Sequence, residues 1–204
     1  MRKYPIIAFE GIEASGKSTN IYHFCKYLKK NKINFIKFRE PGGSIFSEKL
    51  RKLILNKKSE LNLETDLLLI QASRSENCEK IIKKYLGKKL IIIDRFTDST
   101  IAYQHYGMGM DIKIINQLND FVTKKIKIDL TFLCTVNKSN MIKRLNLRKK
   151  INKYDKFNYS FYNKVQKGFI KLSKNHKKKY VLLDSNINSV KDNLNTIIKN
   201  FKTV

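Results

Sequence analysis

At 204 residues, with 42% hydrophobic side chains, the chain is long enough for one well-buried core and short for two, so a single domain is expected. It has no run of eighteen apolar residues, and Met1-Arg2-Lys3 leads straight into an apolar segment, which excludes a membrane span and a signal peptide and predicts a cytoplasmic protein. The formal charge of +26 comes from lysines spread through every segment among asparagine and isoleucine, a mark of base-composition bias rather than of a specific nucleic-acid surface, which concentrates charge in a patch.

The chain opens on Ile6-Ile7-Ala8-Phe9, a short apolar run that reads as a buried strand. Gly11-Ile12-Glu13-Ala14-Ser15-Gly16-Lys17-Ser18 follows, and a segment with Ile21, Phe24, Cys25 and Leu28 at helical spacing completes a strand-turn-helix. This is the spacing of a phosphate-binding loop. The glycines let successive backbone N–H groups converge on phosphate oxygens, and the helix opening at Lys17 aims its positive end at them. Residues 11–19, Thr19 included, are expected to hold ATP, with Lys17 reaching the β and γ phosphates and Ser18 binding Mg²⁺.

Residues 34–38 read as a second strand, ending in Arg39-Glu40-Pro41-Gly42-Gly43, a turn at the strand's carboxyl end, where open α/β sheets place ligands. Residues 48–55 read as a short helix carrying Arg51, and residues 62–86 as a long one with Arg74 in its middle. A buried arginine there needs an anion or an acceptor. Residues 90–93 form an apolar strand running into Asp94 and Arg95, a carboxylate placed for Mg²⁺ and a guanidinium suited to a bidentate phosphate contact. Next come a polar and aromatic stretch over 96–104 and a segment read as flexible, Gly107-Met108-Gly109. Residues 111–125 read as helix, 129–134 as the fourth strand, and 137–174 as two helical segments around the basic run Arg148-Lys149-Lys150-Ile151-Asn152-Lys153. That run reads as a solvated helix end or as a mobile basic flap that excludes water from phosphates. Residues 180–184 and 188–201 read as the fifth strand and the last helix. The alternation predicts a doubly wound, five-stranded parallel sheet with helices on both faces. Cys25, Cys78 and Cys134 read as small buried hydrophobes, and the three histidines have no ligand-like spacing.

With the phosphate loop, Arg39-Glu40-Pro41-Gly42-Gly43, Ala72-Ser73-Arg74 and Asp94-Arg95 followed by Ser99 and Ala102-Tyr103-Gln104 in hand, the chain resembles the thymidylate kinase family, from about residue 4 to the last helix. The resemblance implies a P-loop NTPase-like kinase domain that phosphorylates dTMP with ATP and Mg²⁺ and forms a homodimer. It implies that Glu13 lies near the acceptor's sugar and phosphate, with Arg39 among the substrate residues. Arg51 and Arg95 would bind the acceptor phosphate, Arg74 and Gln104 would hydrogen-bond thymine, and Ser99 would help hold the nucleotide. Tyr103 would crowd the 2′ position, and Ile70 stands where the family usually stacks a phenylalanine on the base. Ala14 replaces the arginine that some members carry in the loop, so the catalytic cation is expected from the flap over 144–156. Arg148 leads there, with Arg144, Lys149 and Lys153 as competitors. Another nucleotide or deoxynucleoside kinase on the same scaffold, and a P-loop protein acting on polynucleotide, are the alternatives.

Overall fold

The computed structural model describes residues 4–58, 60–148 and 152–204. Five parallel strands lie in the order β2-β3-β1-β4-β5, with β1 at Ile6–Glu10, β2 at Phe35–Arg39, β3 at Leu90–Asp94, β4 at Leu130–Thr135 and β5 at Tyr180–Asp184. The central strands are apolar along most of their length because helices cover both faces, and the pleat sorts their residues between them. Ile7 and Phe9 pack with Phe132 against helix α1 (Lys17–Lys30) and helix α9 (Val190–Phe201). Ile6 and Ala8 pack with Ile91 and Ile93 against Cys78 and Ile82 on the opposite face.

The residues after β2 lead into α2 (Ile45–Ile54), capped by the Ser44 hydroxyl on the Ser47 amide, and Asn62 caps α3 (Leu63–Asn77) on Thr65. The long helix expected over 62–86 is present as α3, a π turn over Cys78–Ile82 and a last turn, α4 (Lys83–Tyr85). The segment after β3 departs from expectation. It is helical, α5 (Thr97–Thr100) running into a π turn over Ile101–Gly107. Gly107 is a packing residue rather than a hinge, since a Cβ there would sit 2.7 Å from the Phe161 ring of α8 (Tyr159–Asn175). In return, a Cβ on Gly168 of α8 would sit 2.5 Å from the Tyr106 ring, so glycine on each side lets the two helices meet closely. Helix α6 (Ile112–Thr123) precedes β4, and α7 (Lys138–Asn146) leads to the 3₁₀ turn Lys153–Lys156.

A third apolar cluster, with Ile12, Leu50, Ile54, Ile70, Tyr103, Tyr154 and Tyr162, gathers beside the phosphate loop rather than between sheet and helices. It gives the site its apolar wall. No described helix is long and apolar enough to cross a membrane.

Candidate active site

The turn after β1 has the geometry its glycines require. Gly11 has φ +136°, and a Cβ there would lie 2.2 Å from the Cys134 carbonyl oxygen of neighbouring β4. Gly16 is left-handed at φ 90° and begins α1 with no side chain capping the helix, which leaves its first N–H groups open to an anion. Lys17 is buried at the mouth of this turn, its ammonium donating to the Ile12 carbonyl at 3.4 Å. Burial first, and then the Arg95 charge, hold its pKa below the usual lysine range. The Ser15 hydroxyl is buried without a partner. Ala14, also left-handed at φ 57°, presents its carbonyl to Arg144, which donates to it at 3.0 Å and to the Ser185 carbonyl at 3.0 Å. Arg144 is thus a brace that ties the loop to the end of β5.

Beside this turn opens a cavity enclosing about 570 Å³ of empty space, mouth included. It is lined by Glu13, Arg51, Ile70, Arg74, Arg95, Ser99, Tyr103 and Gln104, all expected as site residues. Arg95 takes a left-handed backbone, φ 71°, and donates to the Glu13 carboxylate at 2.9 Å, to the Tyr103 hydroxyl at 3.2 Å and to the Ser99 hydroxyl at 3.2 Å. Tyr103 in turn donates to the other Glu13 oxygen. Burial alone would raise the Glu13 carboxyl, but Arg95 and then Lys17 hold it below the usual carboxylate range. Arg51 donates to the Pro41 carbonyl at 2.6 Å. Its guanidinium is pushed down to about 10, chiefly by burial and next by repulsion from Arg39. Arg51 and Arg95 both line this cavity, and two guanidinium groups there suit a dianion.

Arg74 proves largely committed to the protein. It is buried, with Nε 2.7 Å from Glu40, one terminal nitrogen donating to Asn119 at 2.8 Å and Gln71 at 3.3 Å, and the other to the Phe96 carbonyl at 3.0 Å. Of five N–H groups, one is left for a ligand. Ser99 is likewise engaged, donating to Glu10 at 2.5 Å. Arg39 stands apart. At the end of β2 its side chain leaves on the side opposite buried Glu40, pairs with Glu48 at 3.1 Å, and lines a neighbouring cavity with Ser18, Lys37 and Asp94.

Ser18 and Asp94 therefore share a wall, as the Mg²⁺ expectation requires. Among the described residues no group of three or more His, Cys, Asp or Glu could hold an ion alone. One hydroxyl and one carboxylate fit a hard cation that draws its other ligands from phosphate and water, so the residues present suit Mg²⁺.

The flap is docked. The Asn152 side chain accepts from the Tyr154 amide and Asp155 from the Asn152 amide, each at 2.8 Å, which fixes the 3₁₀ turn. Tyr154 is buried over the cavity, with its hydroxyl donating to Asp66 at 2.8 Å, and Lys153 pairs with the same carboxylate at 2.7 Å. Arg148 pairs with Asp155 at 2.6 Å, while Lys149 lies outside the described residues. Tyr154 and Thr100, which line the cavity, and Asp66, which bonds Tyr154 and Lys153, were missed by sequence reasoning. Thr100 lines the cavity with a buried, unpartnered hydroxyl, and its place directly after Ser99 was the available signal.

A parallel five-stranded sheet with a phosphate-loop turn after its first strand, beside an arginine-lined cavity, defines the class of P-loop nucleotide kinases. The thymidylate kinase family model matches residues 9–197. A thymidylate kinase of Kosmotoga olearia is 36% identical over 96% of this chain and 94% of its own, and one from a Wolbachia of Brugia malayi is 41% identical over 83% and 81%. The crystal structure of thymidylate kinase from Ehrlichia chaffeensis superposes with a TM-score of 0.78 at 33% identity, covering 98% of both chains. The chain belongs to the thymidylate kinase family.

Proposed function

We propose that the chain transfers the γ-phosphoryl group of ATP to dTMP, giving dTDP and ADP, as a step in dTTP synthesis. One observation carries the reading: Glu13 is at once a residue of the phosphate turn and a wall of the acceptor cavity, so donor and acceptor meet across a single side chain. The acceptor phosphate rests on Arg51 and Arg95, its oxygen facing the γ phosphorus held by the N–H groups of residues 11–19 and by Lys17. Glu13 keeps Arg95 and Tyr103 in place, and Tyr103 closes the sugar end. Ile70 covers one face of the base while Arg74 and Gln104 meet its edge. In such a transfer the protein mainly positions the reactants and stabilises spread charge. Mg²⁺, held by Ser18 with Asp94 in support, neutralises phosphate charge when bound. Arg148 supplies the flap cation once it exchanges Asp155 for phosphate, since Arg144 is already spent as a brace.

The 204 residues act as one kinase domain with a flap over about 144–156, as a homodimer in the cytoplasm, with no specific nucleic-acid partner. Lys17→Ala tests the mechanism. It should slow turnover by at least about 100-fold with folding unchanged, and wild-type turnover would remove Lys17 from the reaction.

A further inference from the structure

Gln104 can read a base only if its amide faces the right way round, since one end accepts a hydrogen bond and the other donates. Its orientation is set by neighbours with no freedom of their own. The Gln104 amide nitrogen lies 3.5 Å from Asp66 Oδ2 and 3.4 Å from the Tyr154 hydroxyl oxygen. Asp66 is buried in the first turn of α3, and a carboxylate there can only accept. The Tyr154 hydroxyl has already given its hydrogen to that carboxylate at 2.8 Å, so toward Gln104 it too can only accept. The Lys153 ammonium, 2.7 Å from Oδ1, supplies the counter-charge that permits a buried acid at this place. Two acceptors therefore hold the amide nitrogen, and the carbonyl is the end left for a ligand in the cavity that Gln104 lines.

We propose that Asp66 is a positioning and specificity-determining residue: by fixing the Gln104 carbonyl toward the acceptor pocket, it makes the site select a base with an N–H at ring position 3. The reading rests on Gln104 facing the base in the function given above. A thymine or uracil ring offers N3–H to that carbonyl and a keto oxygen to the one N–H that Arg74 has left. A cytosine ring offers a lone pair at N3 and an amino group at C4, so acceptor meets acceptor and donor meets donor. Selection is thus anchored twice in buried acids, by Glu40 through Arg74 and by Asp66 through Gln104. Tyr154 and Lys153 add to this hold from the 3₁₀ turn, while Asp66 itself acts from α3.

The test compares kcat/KM for dTMP and 5-methyl-dCMP, which differ only at this edge of the ring, in wild type, Asp66→Asn, Asp66→Glu and Gln104→Ala. The asparagine can turn its own donor toward Gln104 and let the amide reverse, so the preference for dTMP should fall by about tenfold or more. Asp66→Glu keeps an acceptor-only group and should retain the preference even where the absolute rate drops. A general loss of packing would lower both rates and leave their ratio in place. If Gln104→Ala leaves the preference intact, Gln104 does not read the base and the underlying assignment fails. If Gln104→Ala abolishes the preference while Asp66→Asn keeps it within about twofold, Gln104 stands and the role of Asp66 is overturned. Should Asp66→Asn not fold, the double variant Asp66→Asn, Lys153→Gln removes both charges together and reads the same ratio, with the same two outcomes.

Discussion

Glu10, at the end of β1, has no exposed surface, yet both carboxyl oxygens accept: one from the Phe96 amide at 2.7 Å and the other from the Ser99 hydroxyl at 2.5 Å. These bonds hold the turn in which Arg95 takes its left-handed backbone, a conformation unfavourable to any side chain with a Cβ. Arg95 is thereby presented to the cavity by strain that a buried acid offsets. Burial pushes the Glu10 carboxyl up to about 8, the Asp98 charge adds to the rise, and the Ser99 bond opposes it. A carboxyl that binds its proton more tightly folded than unfolded gives its full stability below its unfolded value of 4.5 and loses it as pH climbs toward about 8. Glu10→Gln cannot ionise. Its melting temperature relative to wild type should therefore rise between about pH 5 and about pH 8, and a difference constant across that range would show that Glu10 does not titrate there. Asp98, also raised by burial and bonded by Tyr180, keeps its own part of the slope in the variant. Nothing in the sequence marks Glu10 for this part, because its partners lie 86 and 89 positions away.

At the scale of elements, α3 lines the cavity through Ile70 and Arg74, and it is held to the turn after β2 by a network with almost no solvent. Arg74 and Glu40 form its centre, Asn119 of α6 joins from the side, and Asn77 donates to the Gly42 carbonyl at 2.6 Å. Burial raises the Glu40 carboxyl even against the pull of Arg74, so the pair is poised and needs both members. Arg74→Ala leaves an uncompensated buried carboxylate and should cost about 3–5 kcal/mol in urea unfolding, besides its effect on dTMP. A loss below about 1 kcal/mol would mean that the arginine serves the ligand alone. The requirement for an acceptor was legible from Arg74's place in mid-helix, but that the acceptor was largely the protein itself was not. Spacing along one helix does not reveal which loop packs on it. The same limit applies to Gly107, read with Met108 and Gly109 as flexible, which instead allows close packing against Phe161.

For the molecule as a whole, the strand-turn-helix at the N-terminus was legible because a phosphate loop is a local pattern, its glycine spacing falling within residues 11–18. The β-α alternation gave the sheet for the same reason, since apolar runs and helical spacing are properties of short segments. The acceptor cavity was legible only through resemblance, as Arg51, Arg95 and Gln104 come from three separate segments. Residues such as Asp66 and Tyr154, 88 positions apart, stayed hidden because their meaning lies in a contact that only the docked flap makes. The distribution of the +26 charge was legible too, and the strongly placed cations, Lys17, Arg51, Arg74 and Arg95, each face a defined partner or cavity.

The most direct test of the account is ADP release by the wild-type protein with ATP and Mg²⁺, read across dTMP, dUMP, dCMP, dAMP, dGMP and thymidine. dTMP should give the highest kcat/KM, with dUMP, lacking a single methyl, lower by about 10–200-fold. No ADP release with dTMP, or a higher kcat/KM for any other member of that set, would contradict the central claim that this cavity receives thymidine monophosphate.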